Sequence, residues 1–260
     1  MPSIPTQIPG TTRIVRTKSE PTALHREGAG RYFFVGLAWF FVLVAAVGFA
    51  PSYAGVQTPR GPIIIPPIVH VHGALMIAWL LLFVAQTGLA AAGALQWHRL
   101  LGLAAVGLAA ALWLSMGIVT VNSLIRYKVE DFPWIYKILL VELLSLVVFP
   151  LFFVWGIRVR RNAGAHKRLL TLATLFLLQA AVDRMRWLPE FHLPGFWSHA
   201  LRLYPLLIPL FVFDFVSLKR FHPITLIGTG VILAAHTIVN LLWNLPAWHN
   251  FVHAMVISFR

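Results

Sequence analysis

Cysteine is missing from all 260 residues. That excludes disulfides, thiolate metal centres, iron–sulfur clusters and cysteine nucleophiles, so any metal or haem must be held by His, carboxylate or Met. Acidic residues are scarce, 8 Asp+Glu against 21 Lys+Arg, and charged residues make up only 11% of the chain, where a soluble domain carries about 25%. No Gly-rich phosphate loop, serine nucleophile elbow or nucleic-acid motif is found. What fills the chain instead is apolar: 59% of the residues are hydrophobic. A water-soluble globule has no means of hiding that much apolar surface, so the sequence reads as a polytopic membrane protein. Its net charge of +13 belongs to segments flanking apolar runs rather than to a nucleic-acid surface.

Seven apolar runs approach the ~20 residues needed to cross a bilayer: 32–50, 66–92, 100–122, 134–157, 169–187, 201–218 and 223–245. The sixth is the weakest, interrupted by Arg202, Pro205, Pro209 and Asp214. The fold class expected is all-α, a seven-helix transmembrane bundle over residues 31–246. It follows a Pro-, Gly- and Arg-containing tail at 1–30, read as disordered and cytoplasmic, and precedes a short extracytoplasmic segment at 247–260. With the N-terminus inside, thirteen Lys and Arg fall in inner segments and seven in outer ones. The positive-inside rule therefore favours N-in and C-out. Trp97, Trp134, Trp155, Trp187 and Trp243 fall near span ends, as an aromatic belt requires. The small-residue pairs Gly88/Ala92, Ala105/Ala109 and Gly230/Ala234 predict close helix approaches.

The His98-Arg99-Leu100-Leu101-Gly102 turn is echoed by His166-Lys167-Arg168-Leu169-Leu170, and again by Lys219-Arg220-Phe221-His222. This suggests three related helical hairpins after a first span. Eleven His residues stand among few other polar groups, and an ionisable side chain at a helix centre costs roughly 2.5–3.5 kcal/mol on insertion scales. His70, His72, Lys137, Glu142, Asp183, Arg184, Arg202, His236 and Asn240 map to the outer halves of their spans, which predicts a polar pocket opening outward. By helical rise, His72 on the second span and His236 on the seventh lie at similar depth, with Glu142 near the same level. The functional reading is a ligand pair or triad: His72 and His236 on a haem, or both with Glu142 on a metal. His98 and His166 would form a second, inner pair, and Glu142 and Asp183 are the candidate catalytic carboxylates. The structural reading of each is an interhelical hydrogen bond. Asp183 and Arg186, three apart, are expected to pair on their helix. His192, His199, His249 and His253 read as surface histidines.

The residues His70-Val71-His72-Gly73, Trp79, Gln86, His98-Arg99-Leu100-Leu101-Gly102 and His166-Lys167-Arg168-Leu169 resemble a largely uncharacterised group of bacterial multi-pass membrane proteins with His-Gly, His-Arg-x-x-Gly and His-x-Arg motifs. The likeness covers roughly residues 70–184 and implies topology and site positions without an activity. A more distant likeness is to transmembrane b-type cytochromes, which implies paired His on adjacent helices. The expectation is a protein of a bacterial inner membrane, its site lined by His and holding haem b or a transition metal. Electron transfer or redox chemistry on a lipophilic substrate such as quinone would follow. The alternatives are a small-solute or proton transporter, and a structural or assembly subunit beside other membrane protein subunits. Nucleic acid is not expected as a partner.

Overall fold

The computed structural model describes residues 21–53, 57–58, 61–62, 65–126, 135–185 and 187–258. Helices follow one another as α1 Pro21–Tyr53, α2 Pro67–Ala91, α3 Leu95–Arg126, α4 Ile135–Arg158, α5 Ala163–Leu177, α6 Gln179–Val182, α7 Trp197–Ala200, a 3-10 turn at Tyr204–Leu207, α8 Ile208–Leu218, α9 Pro223–Leu242 and α10 Pro246–Ser258. A two-residue antiparallel ladder, Gln57–Thr58 against Gly61–Pro62, lies in the α1–α2 connection.

Among the described residues, six helical segments are long and apolar enough to cross a membrane: Gly30–Pro51, Pro67–Ala91, Leu95–Ile125, Ile135–Arg158, Trp197–Leu218 and Pro223–Leu242. Their outward surface is hydrocarbon, with Leu103 73%, Leu241 70% and Val147 62% exposed. Such a surface is stable against lipid and not against water. The chain is a multi-helix membrane protein.

Local chemistry sets the boundaries. Pro67 opens α2 and Pro223 opens α9 at the first helical position, where a missing N–H costs nothing. Asn162 caps α5 by accepting from Ala165 N at 3.1 Å, and Lys219, at φ 57, closes α8 in the left-handed conformation. Residues 21–30, read from the sequence as tail, are the opening turns of α1; the Ala, Leu and Glu that follow Pro21 are strong helix formers. Residues 1–20 lie outside the described residues. The expected C-terminal segment is helical, as α10.

The fifth apolar run departs furthest from expectation. It starts at Ala163 rather than 169 and breaks at Leu178, whose N–H turns to Leu175 O and Phe176 O. Each piece is too short to be counted among the six segments above. Yet α5 is the centre of the bundle: Leu169, Thr171, Leu172, Ala173, Thr174 and Leu175 are all at 0% exposure, packed among α1, α4 and α9. The threonine hydroxyls close on their own helix, Thr171 to Lys167 O at 2.7 Å and Thr174 to Leu170 O at 2.9 Å.

Of the small-residue pairs, Ala109 lies in the core at 3% exposure, while the glycines of the other two pairs do not mark close approaches. Gly88 and Gly230 have open space where a Cβ would stand. At Gly48, by contrast, a Cβ would lie 2.8 Å from the Ala181 Cα and collide with the Ala181 carbonyl, so α1 meets α6 backbone to backbone. Gly156 faces Leu170, and Gly228 faces the Leu172 methyl. A four-residue spacing marks a small stripe on a helix without saying which way the stripe faces.

Candidate functional site

The turns α2–α3, α4–α5 and α8–α9 gather at one end of the bundle, the near end, and polar groups collect there and at the far end. At the near end His98 opens α3 and donates Nδ1–H to Gln86 O at 3.2 Å, while His166 opens α5 and donates Nδ1–H to Gly156 O at 2.8 Å. The same device thus serves two successive helix pairs: a His at the start of the second helix bonds a carbonyl near the end of the first. A carbonyl only accepts, so in each neutral ring the proton is on Nδ1 and the lone pair on Nε2. The two rings stand 6.3 Å apart at 89°. The sequence expectation of an inner His98–His166 pair therefore has these rings as neighbours.

Beside that pair is a buried ion-pair network. Asp214, at 0% exposure, accepts from Arg168 Nε at 2.9 Å and from the Arg168 Nη2, and its second oxygen accepts from His222 N at 3.0 Å and from the Thr225 hydroxyl. Arg168 gives its remaining Nη1 to Gly164 O at 2.8 Å. Both Asp214 oxygens accept two hydrogen bonds each and all three Arg168 nitrogens donate, as a charge pair out of water requires. His222 in turn caps α9, its Nδ1 accepting from Ile224 N at 3.1 Å. Burial, then the neighbouring Arg168, lowers the His222 pKa from its ordinary 6.5, which keeps that acceptor available. Lys167 places its ammonium over Phe34 at 4.5 Å and Phe213 at 5.3 Å.

The outer pair, His72 and His236, has separate partners. Ser115 spends its one proton on Leu112 O at 2.7 Å, so His72 Nδ1–H donates to Ser115 Oγ at 3.0 Å, tying α2 to α3. His236, at 0% exposure on α9, is bonded through Nδ1 to the Tyr204 hydroxyl at 3.1 Å and walled by Phe176 and Phe196. With the phenol donating, the ring proton is on Nε2, the opposite tautomer from His72, His98 and His166. His236 Nε2 is buried without a partner. Glu142 meets the Thr120 side chain on α3 and leaves Oε2 unpartnered. Among the described residues no three His, Asp or Glu side chains gather closely enough to hold a metal ion. The postulated triad of His72, His236 and Glu142 is accordingly not assembled: equal depth along two helices does not place them on facing sides.

No family model, no curated protein and no solved structure matches this chain. Its chemistry has to be read from its own geometry.

Asp183 pairs with groups the sequence did not connect to it. Gln179 Nε2 donates to Asp183 Oδ1 at 3.0 Å and to His199 O at 3.2 Å, and His199 Nδ1 lies 3.3 Å from the same carboxylate oxygen. The expected partner, Arg186, lies outside the described residues. Arg184 bonds Ala180 O at 2.6 Å and covers the Phe49 ring. Two histidines read as surface groups have structural partners as well: His199 as above, and His249, whose ring lies tilted against Tyr136 at 3.7 Å. Of the tryptophan belt, Trp97 and Trp187 are exposed at 57% and 72%, while Trp243 packs against Phe196 and Trp155 against the core; Trp134 is outside the described residues. Two grooves, one along Phe33, Gly36, Leu37, Phe40 and Pro209 and one along Leu140, Leu144, Val239 and Trp248, have apolar linings. Of the polar groups expected to line an outward pocket, His72, Asp183, His236 and Asn240 hydrogen-bond to neighbouring residues. Tyr204, Gln179, Ser115 and Thr225 were not singled out from sequence, since a single hydroxyl or amide in an apolar run carries no spacing signal. Asp214 did carry one: a lone carboxylate in a span demands a buried cation.

Proposed function

We propose that this chain crosses a bacterial inner membrane seven times, N-terminus inside and C-terminus outside, and carries a His-ligated redox centre at its near end. The broken α5–α6 segment would be the seventh crossing, since residues 163–182 together rise about 30 Å. The inward bias of Lys and Arg supports the orientation. The centre would be haem b or a transition-metal ion held by His98 and His166, serving electron transfer or redox chemistry on a lipophilic substrate.

The observation that carries this reading is the matched histidine pair. Both rings are fixed through Nδ1–H to a carbonyl, the arrangement that orients metal-ligating His and raises its basicity. Their ring centres stand 6.3 Å apart, and each neutral ring would offer its Nε2 lone pair to the ion. Arg99 and Lys167, each beside one of the two histidines, suit a propionate or phosphate oxygen. A bound haem or metal supplies the one-electron step. The protein's own part is to orient the two rings, hold cationic groups at the membrane boundary, and keep the α5 core dry.

A visible spectrum with metal analysis of the purified protein tests the proposal. A Soret band or stoichiometric metal, lost in both His98→Ala and His166→Ala while helicity is retained, is expected. No chromophore and no metal in the wild-type protein overturns it. One observation favours a proton or small-solute transporter instead: Glu142 Oε2, buried and unpartnered inside a span. Proteoliposome flux abolished by Glu142→Gln would select that reading.

A further inference from the structure

The second apolar groove runs along the outside of the bundle between α4 and α9 and reaches α10. Leu140, Leu144 and Val147 line it from α4, Ile238 and Leu242 from α9, and Trp248 from α10. Val147 is 62% and Ile238 52% exposed, so the groove opens on the hydrocarbon-facing surface. Its volume of about 230 Å³ is below the roughly 300–1,000 Å³ of sites for compact ligands. Its run from Leu140 to Val147, about 10 Å by helical rise, suits a stretch of one acyl chain. Lys137 stands at the far-end mouth. Steps of three and four residues put Lys137, Leu140, Leu144 and Val147 on one face of α4. The Lys137 ammonium lies 5.2 Å from the ring of Trp243, the residue after Leu242, and Leu140, Leu242, Trp243 and Trp248 pack in one cluster. Among the described residues no carboxylate pairs with Lys137; the Tyr136 and Trp243 rings flank its ammonium.

The short helix α10 bounds the same mouth. It has no Lys, Arg, Asp or Glu, and its 13 residues rise about 20 Å, short of the ~30 Å of a hydrocarbon core. Val252 and Val256 bury it against Leu124 of α3 and Leu139 of α4, and Trp248 donates its indole N–H to Tyr136 O at 2.9 Å. Phe251, 57% exposed, adjoins Trp248 at 5.8 Å and extends the apolar surface onto α10. Tyr136, Trp243 and Trp248 thus gather where aromatic residues meet lipid head groups.

We propose that the α4–α9 groove holds an anionic phospholipid, with one acyl chain along Leu144 and Val147 and the phosphate on the Lys137 ammonium. A groove open to lipid takes hydrocarbon, and an ammonium at its mouth takes an anion. A phospholipid joins the two in one molecule. A zwitterionic head group brings its own cation beside Lys137, so a head group of net negative charge binds about fivefold tighter, the worth of one basic residue at a membrane surface. This site lies at the opposite end from His98 and His166 and is independent of the redox reading.

Because the chain has no cysteine, Leu143→Cys on the groove wall takes a single fluorophore in the full-length protein. Ile118→Cys, on the 53% exposed residue of α3, is the control. Quenching is measured in mixed micelles with bromine-labelled phosphatidylglycerol and with phosphatidylcholine of the same chains. At position 143 phosphatidylglycerol is expected to bind about fivefold tighter, and at position 118 the two should be equal. Lys137→Gln should equalise them at 143, and Val147→Trp, which fills the inner end of the groove, should abolish the excess. If Lys137→Gln does not fold, Val147→Trp decides. Equal quenching by the two lipids at 143, or a preference that survives Lys137→Gln, would overturn the proposal. So would the absence of quenching by either lipid, which assigns the groove to a second copy of the chain, and reversal of the excess by inorganic phosphate, which makes Lys137 a site for a free anion.

Discussion

Replacing Asp214 by Leu should be among the most damaging single changes in the molecule. Arg168 is 2% exposed and Asp214 is at 0%, so the substitution strands a guanidinium in the protein interior. Removing one partner of a buried ion pair costs about 3–5 kcal/mol. Asp214 also accepts from the His222 N–H and the Thr225 hydroxyl, and stranding these donors adds ~1–3 kcal/mol. Because the pair joins α5 to α8 and α9, the loss should appear as global unfolding. The measurement is a denaturing-detergent titration in mixed micelles, read by tryptophan fluorescence. The double variant Arg168→Met/Asp214→Leu removes both charges and should recover most of the loss, leaving a deficit of ~1–3 kcal/mol from the two donors. If Asp214→Leu unfolds within about 1 kcal/mol of wild type, or the double variant is less stable than the single, the network does not hold these helices together.

Gly48→Ala drives a methyl into the Ala181 backbone and should cost ~1–3 kcal/mol, whereas Gly36→Ala, which meets open space, should be neutral or stabilising; paired melting curves compare them, and equal behaviour would refute the α1–α6 contact. Burial and then Arg168 lower the His222 pKa below 6.5. Its stabilising cap is therefore complete above about pH 6.5 and lost as the pH falls through the lower folded value. His222→Asn, a cap that does not titrate, should lose less stability than wild type between neutral and acidic pH, and parallel slopes would exclude the cap. Ser115→Ala removes the acceptor of His72 Nδ1–H and should cost about 0.5–1.5 kcal/mol without altering any Soret band, if the centre is held by His98 and His166.

Membrane residence and nearly all helix positions were legible from composition and run length, because a lipid-facing helix must be apolar over a length set by the bilayer. The runs at 66–92, 134–157 and 223–245 became α2, α4 and α9 with ends shifted by at most three residues. The His98–His166 neighbourhood was legible too, since both residues open helices at one end and repeat a short motif. Rotation of each helix about its axis was not. Depth along a helix follows from counting residues, but the direction a side chain faces depends on which neighbours pack beside it. For this reason Gly88 and Gly230 face open space while Gly48 meets Ala181, and His72 and His236, level by counting, answer to Ser115 and Tyr204. The break at Leu178 was equally hidden: no proline or glycine marks it in the sequence, and the close approach of α1 to α6 exists only once the bundle is assembled. Hydropathy is a property of single residues and survives in one dimension; azimuth is a property of pairs of helices and arises only in three.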